Sequence, residues 1–138
     1  MSAKFDPILG KLRQEDTGIP EASFGITIGT GSSVITTGVK GYVTIPYDCT
    51  ITGWDILADQ SGSCVIDLWK DTYANFSPTV EDTITGSEKP TLSSQQKNRN
   101  DSLSTWTTAV SAGDVIAFNV DSASTVTRVN VIIKVSKI

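Results

Sequence analysis

The 138-residue chain contains no histidine. That absence removes most imidazole chemistry: the Ser-His-Asp triad, the Cys-His pair and the usual zinc sites. Only two cysteines are present, too few for a disulfide framework. No apolar run exceeds a few residues, so no transmembrane helix and no membrane insertion are expected. The first twenty residues interrupt their short apolar steps with Lys4, Asp6, Lys11, Arg13, Glu15 and Asp16. A secretory signal needs a continuous apolar stretch there, so the chain is expected to stay in the cytoplasm where it is made until it is assembled or released. Basic residues number 11 against 15 acidic ones and are scattered, for a net charge of −4. Nucleic-acid binding needs concentrated positive surface, and none is visible.

What is abundant points to strands. Valine, isoleucine and threonine make up 44 residues against 7 leucine plus methionine, and serine with threonine reaches 34. That balance favours many short strands joined by polar turns, and the length suits one domain.

Residues 1–22 differ from the rest. Phe5, Ile8, Leu9 and Leu12 fall at i, i+3, i+4 and i+7, one face of a helix, behind an Asp6-Pro7 start. A helix this short is marginal alone and needs a surface, on its own domain or on another protein. From Phe24 the period becomes two. Phe24, Ile26 and Ile28 alternate with small residues, a turn follows at Gly31-Ser32, and Ser33 to Thr37 reads as a second short strand. Val39, Gly41, Val43 and Ile45 line one face of the next. Thr50 to Ala58 and Ser63 to Lys70 read as a hairpin about Asp59-Gln60-Ser61-Gly62. Val115 to Val120 and Val126 to Val135 complete the set.

The hairpin register sets Cys64 opposite Leu57 and Cys49 opposite Thr72. A bridge would need Cα atoms within about 7 Å, so two buried thiols are expected. Both hairpin faces are apolar: Trp54, Ile56 and Val65 on one, Leu57, Ile66 and Leu68 on the other. The second face would lie under the 71–105 segment or against another subunit, making Leu57, Ile66 and Leu68 candidate interface residues. Between Asp71 and Thr105 no strand pattern is legible. Thr79 to Ile84 and Ser93 to Asn98 carry weak helical starts, Ser93 and Gln96 at capping-box spacing. So long a segment is either a lid packed by Tyr73, Phe76 and Trp106 or a contact surface. Seven or eight strands and a short helical or extended arm best fit an antiparallel β-sandwich of jelly-roll type, all-β, with the arm at 1–22 and the sandwich at 23–138.

Catalytic support is thin. Without histidine, acid–base work would fall to Asp, Glu, Lys or Tyr. The hairpin register sends Asp55 and Asp67 to opposite faces, whereas a glycosidase pair must share one cleft. Asp114 and Asp121 border one strand and Glu81-Asp82 is an acidic pair, but no EF-hand spacing occurs. Gly29-Thr30-Gly31 lacks the lysine and helix of a phosphate loop and reads as a turn. Trp54 and Trp69 read as core or interface residues on one face, while Tyr73, Phe76 and Trp106 are the better candidates for stacking on a sugar. Neither enzyme activity nor a cofactor or metal is expected.

Four stretches carry a likeness. The run Ile51-Thr52-Gly53-Trp54-Asp55-Ile56-Leu57-Ala58-Asp59-Gln60-Ser61-Gly62-Ser63, continuing through Val65-Ile66-Asp67-Leu68-Trp69-Lys70-Asp71-Thr72-Tyr73, resembles bacteriophage tail-fibre and baseplate knob domains. Ala112 to Ser122 and Gly86-Ser87-Glu88-Lys89-Pro90 continue the resemblance. The leader Lys4-Phe5-Asp6-Pro7-Ile8-Leu9-Gly10-Lys11-Leu12-Arg13 is similar to the start of many small phage structural proteins. The resemblance implies a jelly-roll knob, usually a homotrimer, displayed on the virion surface after synthesis in the bacterial host cytoplasm. It also implies a role for the leader: Phe5, Ile8, Leu9 and Leu12 would dock to capsid, neck or baseplate proteins. The chain has no shaft or collagen-like repeat, so a small decoration knob fits better than a whole fibre. The alternative it leaves open is a receptor-binding or adhesion module contacting a host-surface glycan.

Overall fold

The computed structural model describes residues 20–138; the leader stripe of Phe5, Ile8, Leu9 and Leu12 lies outside the described residues. Seven strands follow in order: β1 (Glu21–Ile28), β2 (Gly38–Thr44), β3 (Cys49–Asp71), β4 (Thr91–Asn100), β5 (Ala109–Val110), β6 (Val115–Ser124) and β7 (Val129–Lys137). All their pairings are antiparallel. The fold is all-β, a sandwich of jelly-roll type.

The layers follow from how β3 divides its partners. Its first part, 49–58, pairs with β7, which pairs with β1. Its last part, 63–71, pairs with β6, which pairs with β2. On its other edge β4 follows the bend, 97–100 beside the first part and 91–95 beside the second. Counting β3 and β4 twice gives two four-stranded layers. They close on each other: the Phe24 ring of β1 meets the Phe118 ring of β6 edge-on at 6.4 Å. Between them lies one core that includes Ile56, Ile66, Leu68, Ile116, Val120 and Ile133.

Four of the six layer-crossing connections, those from β1 to β2 and from β6 to β7 and the corners within β3 and β4, meet at one end. Gly31 and Ile35 donate their backbone N–H groups to Thr127 and Val126, Asp59 donates to Arg128, and the Gln96 amide reaches the carbonyls of Ala58 and Asp59. The crossings from β2 to β3 and from β5 to β6, the remaining loops and the chain ends gather at the other. There Lys137 donates to Pro20, Ile138 to Asp48, Ile45 to Asp114 and Thr107 to Ile84.

The period-two readings of β1 and β7 hold. Val129, Val131, Ile133 and Val135 are all buried, each with an exposed or half-buried neighbour between. Three readings are corrected. The expected hairpin is one continuous strand, with Asp59-Gln60-Ser61-Gly62 as a corner between layers. No residue from 59 to 62 takes the positive φ that tight hairpin turns use, and each half finds more extensive partners in β6 and β7. The inward positions therefore run unbroken through Trp54, Ile56, Cys64, Ile66 and Leu68, while Leu57, Val65, Asp67 and Trp69 face outward. Trp54 and Trp69 lie on opposite faces, and Asp55 and Asp67 on the same one, the reverse of both expectations.

Second, 71–105 is not strandless. β4 is polar nearly throughout, with only Leu92 buried, and takes its conformation from pairing along β3 rather than from an apolar alternation of its own. The Ser93–Gln96 capping box does not form: the Ser93 N–H donates to the Gln95 side chain instead. The other helical start, at Thr79, becomes a single 3-10 turn, Val80–Asp82. Third, 33–37 is a loop, entered through Gly29 and Gly31 at φ 91° and 89°, conformations open to glycine at little cost.

Both cysteines are free and buried. The thiol reading stands although its register was wrong: Cys64 pairs with Leu92 and Ala123, and Cys49 with Val110 and Lys137. Burial pushes the Cys64 thiol up to about 11, so it stays protonated and unreactive.

Candidate functional site

The chain from Asp71 to Pro90 is the longest connection, and buried polar chemistry fixes it to the outward side of β3. Asp67 is 2% exposed. Its Oδ1 accepts from the hydroxyls of Thr83 (2.6 Å) and Thr85 (2.7 Å), and its Oδ2 from the Trp69 indole N–H at 3.0 Å. Lys89 stands 3.7 Å from the same oxygen and 2.7 Å from Asp121. The hydrogen bond to Asp121, and then the field of Asp67, hold the Lys89 ammonium above its usual range. A carboxylate this deep is stable because each oxygen has a donor.

A second clamp ties this loop to the one after β4. The Glu88 carbonyl accepts both buried indoles, Trp54 at 3.1 Å and Trp106 at 2.8 Å. Its carboxylate accepts from the backbone and hydroxyls of Thr105 and Ser104, contacts that hold it down at about 2. Gly86, at φ 56°, brings the backbone so close that an added Cβ would stand 2.6 Å from the Thr105 side chain.

Thus pinned, the loop presents aromatic surface. Tyr73 is 77% exposed and Phe76 53%. Phe76 meets Tyr42 of β2, itself exposed, at 4.8 Å between ring centroids and 64° between planes. Tyr42, Ala117 and Trp69 are paired across β2, β6 and β3 and so share one outward face. Val80 adds an exposed side chain. Of the sugar-stacking candidates, then, Tyr73 and Phe76 reach solvent while Trp106 is buried in the core cluster, its indole N–H spent on Glu88. Tyr42 takes its place. Sequence reasoning missed it because its ring belongs to a strand edge that only the tertiary fold sets beside residue 76.

The other candidates scatter. Ile66 and Leu68 are fully buried core residues; only Leu57 of the proposed interface trio reaches the surface, 45% exposed, beside Asp55, Lys97, Asn98 and Arg99. Asp55 is gripped there by Arg99 through two hydrogen bonds of 2.8 and 2.9 Å and by Lys134 at 3.0 Å. Asp55 and Asp67, although both outward, are held by separate partners and share no cleft. Asp82 caps Thr79, Asp114 binds Ser111 and Lys70, and Asp121 binds Lys89 and Asn119. Among the described residues no three carboxylates or thiols gather as a metal site would need.

Arg99 first, and then Lys134, hold the Asp55 carboxyl down at about 2. The folded values of Asp55 and Glu88 lie below the ordinary 3.8 and 4.5, so their contribution is fully present above those values and lost as pH falls toward about 2. Urea midpoints are therefore expected to fall between about pH 4.5 and 2, and less steeply in Asp55→Asn/Glu88→Gln. Equal slopes in both proteins would show that other groups drive acid unfolding.

Neither a family model nor a curated protein matches this chain.

Proposed function

We propose that the chain is a non-enzymatic structural protein of a bacteriophage particle: a trimeric jelly-roll knob or decoration protein, tethered through its N-terminal arm. The observation that carries the reading is the polarity of the sandwich. The corners within β3 and β4 occupy one end, while Pro20, from which the arm departs, is bonded at the other beside the C-terminus. An arm leaving the base of a rigid sandwich holds the corner end outward, the geometry of a displayed knob. The resemblance of the leader to the start of small phage structural proteins, and of the Ile51–Tyr73 run to phage knob domains, supplies the setting. Leu57 and its polar surround are the remaining candidate for a subunit contact.

Light scattering over a range of concentrations is expected to return a stable mass three times the 14.7 kDa chain. A monomer at every concentration would remove the trimer. Removing residues 1–19 leaves all the core residues named above in place, so the truncated protein is expected to fold but to be missing from purified particles of the encoding phage. Normal occupancy by the truncated protein would overturn the tether.

Adhesion to a host glycan is the second reading, favoured by the solvent-facing rings of Tyr73 and Phe76. Excess purified protein would then block adsorption of the phage to its host. No competition at saturation would retire it.

A further inference from the structure

We propose that the corner end of the sandwich carries a saccharide-binding site, built from Ser61 of the β3 corner and Gln95, Gln96 and Lys97 of β4. The site is separate from the rings of Tyr73 and Phe76, and it does not rest on the phage reading. Three observations support it.

The first is convergence. Ser61, Gln95, Gln96 and Lys97 line one open depression of about 570 Å³, large enough for a sugar ring. A regular strand would send Gln95 and Gln96 to opposite faces of its sheet. Here the β3–β4 register shifts on both sides of Gly62, and Ser94 stands at φ 51°, in the left-handed region. Such irregularities re-aim side chains, and two consecutive amides come to line the same hollow.

The second is the orientation of those amides. The Gln96 Nε2 donates to the carbonyls of Ala58 and Asp59, both at 3.3 Å, groups that can only accept. Its Oε1 is left for a ligand. The Gln95 Oε1 accepts at 3.0 Å from the Ser93 N–H, a group that can only donate, which leaves its Nε2. Backbone partners therefore decide which end of each amide is presented. One hollow thus offers a carbonyl acceptor and an amide donor, together with the Ser61 hydroxyl and the Lys97 ammonium. A sugar hydroxyl both donates and accepts, and the several on one ring match such a set.

The third is rigidity. The Gln60 amide donates to the Thr125 carbonyl at 2.7 Å, and the Ser94 N–H to the Ser63 hydroxyl at 3.1 Å. Gly62 lies so close to the turn after β6 that an added Cβ would stand 2.8 Å from the Ser124 carbonyl. Thr125, a β-branched residue, is held at φ 75°, a conformation that persists only where its surroundings impose it. The corner is formed before any ligand arrives, which removes an ordering cost from binding. Among the described residues no aromatic ring lines the hollow, so a single site is expected to bind with a Kd of about millimolar.

Titration of the 15N-enriched full chain with glucose, galactose, mannose and N-acetylglucosamine, each followed by NMR, tests this. At least one sugar is expected to shift the backbone amides of Ser61, Gln95 and Lys97, and the side-chain amide of Gln95, along a saturable curve. Gln95→Leu/Gln96→Leu, outside the core, should weaken that binding about tenfold or more. Ser61→Ala, at an exposed position, should weaken it less, and Tyr73→Ala/Phe76→Ala should leave it intact. Unchanged binding in both corner variants would overturn the proposal. So would the absence of saturable shifts with every sugar, equal shifts with glycerol, or shifts centred on Tyr73 and Phe76. None of these results bears on the mass and particle-occupancy measurements, so the knob reading stands or falls separately.

Discussion

Replacing Asp67 by alanine is expected to cost the fold about 3 kcal/mol, among the largest losses any single surface-side residue of this protein can cause. The carboxylate lies on the outward side of β3, yet it is buried and answers three donors: Thr83, Thr85 and the Trp69 indole. Its removal leaves the Thr85 hydroxyl, on a residue with no solvent exposure at all, with only a 3.3 Å contact to the Thr83 hydroxyl, and leaves Lys89 to Asp121 alone. Unpaired buried donors cost about 1–3 kcal/mol each, partly recovered where water can enter. For a domain of this size the loss corresponds to a fall of about 10–15 °C in Tm. Thermal unfolding followed by circular dichroism would check it. Asp67→Asn keeps an acceptor oxygen and should fall between the two. A loss under about 1 kcal/mol for Asp67→Ala would mean that the loop is held by Glu88 and its own turns instead. The same variant should loosen the aromatic surface, because Thr83 follows directly on the Val80–Asp82 turn.

The second large effect belongs to the core. Phe118→Ala is expected to cost about 3–5 kcal/mol, since a fully buried ring is removed from between two layers that cannot collapse onto the gap. The ring packs edge-on against Phe24, from the opposite layer. Phe24→Ala should cost less, because that residue is only partly buried. A double-mutant cycle is expected to show a coupling of about 0.5–1.5 kcal/mol between the two. Denaturant melts of the four proteins measure it. Strict additivity would mean that the layers are closed by their aliphatic side chains and that the aromatic contact adds nothing of its own.

Much of this architecture is legible in the order of residues. The β1 and β7 alternations survive because each of those strands buries a single face, so an apolar side chain at every second position has only one stable orientation. β2 follows the pattern less well: its register shifts between Val39 and Gly41, which turns Val39 outward. β4 was invisible for the opposite reason. A strand that wraps the edge of both layers buries almost nothing, and Ser93-Ser94-Gln95-Gln96 carries no period at all. Its conformation is set by β3, through pairs such as Asp55 with Arg99 and Leu57 with Lys97.

The site shows the same division. Exposure of Tyr73 and Phe76 could be anticipated, since they sit in a stretch with no apolar alternation. Trp106 lies in the same stretch and is buried, because the Glu88 carbonyl accepts its indole and that of Trp54 together. No spacing in the sequence announces a carbonyl shared by two tryptophans. Most of the carboxylates are caps and pins, each answering the backbone or a neighbouring polar or cationic group.

Composition and periodicity, then, determined on their own that this is an all-β sandwich with two buried, unpaired thiols. Those features are local: they depend on which side chains leave water and on how far apart they recur. Whether β3 turned back on itself or crossed between layers, where Asp67 found its donors, and which ring joined Phe76 were decided by the tertiary structure. They depend on competition among partners distant in the chain, and β6 and β7 offered the halves of β3 more extensive pairing and deeper burial than they could offer each other.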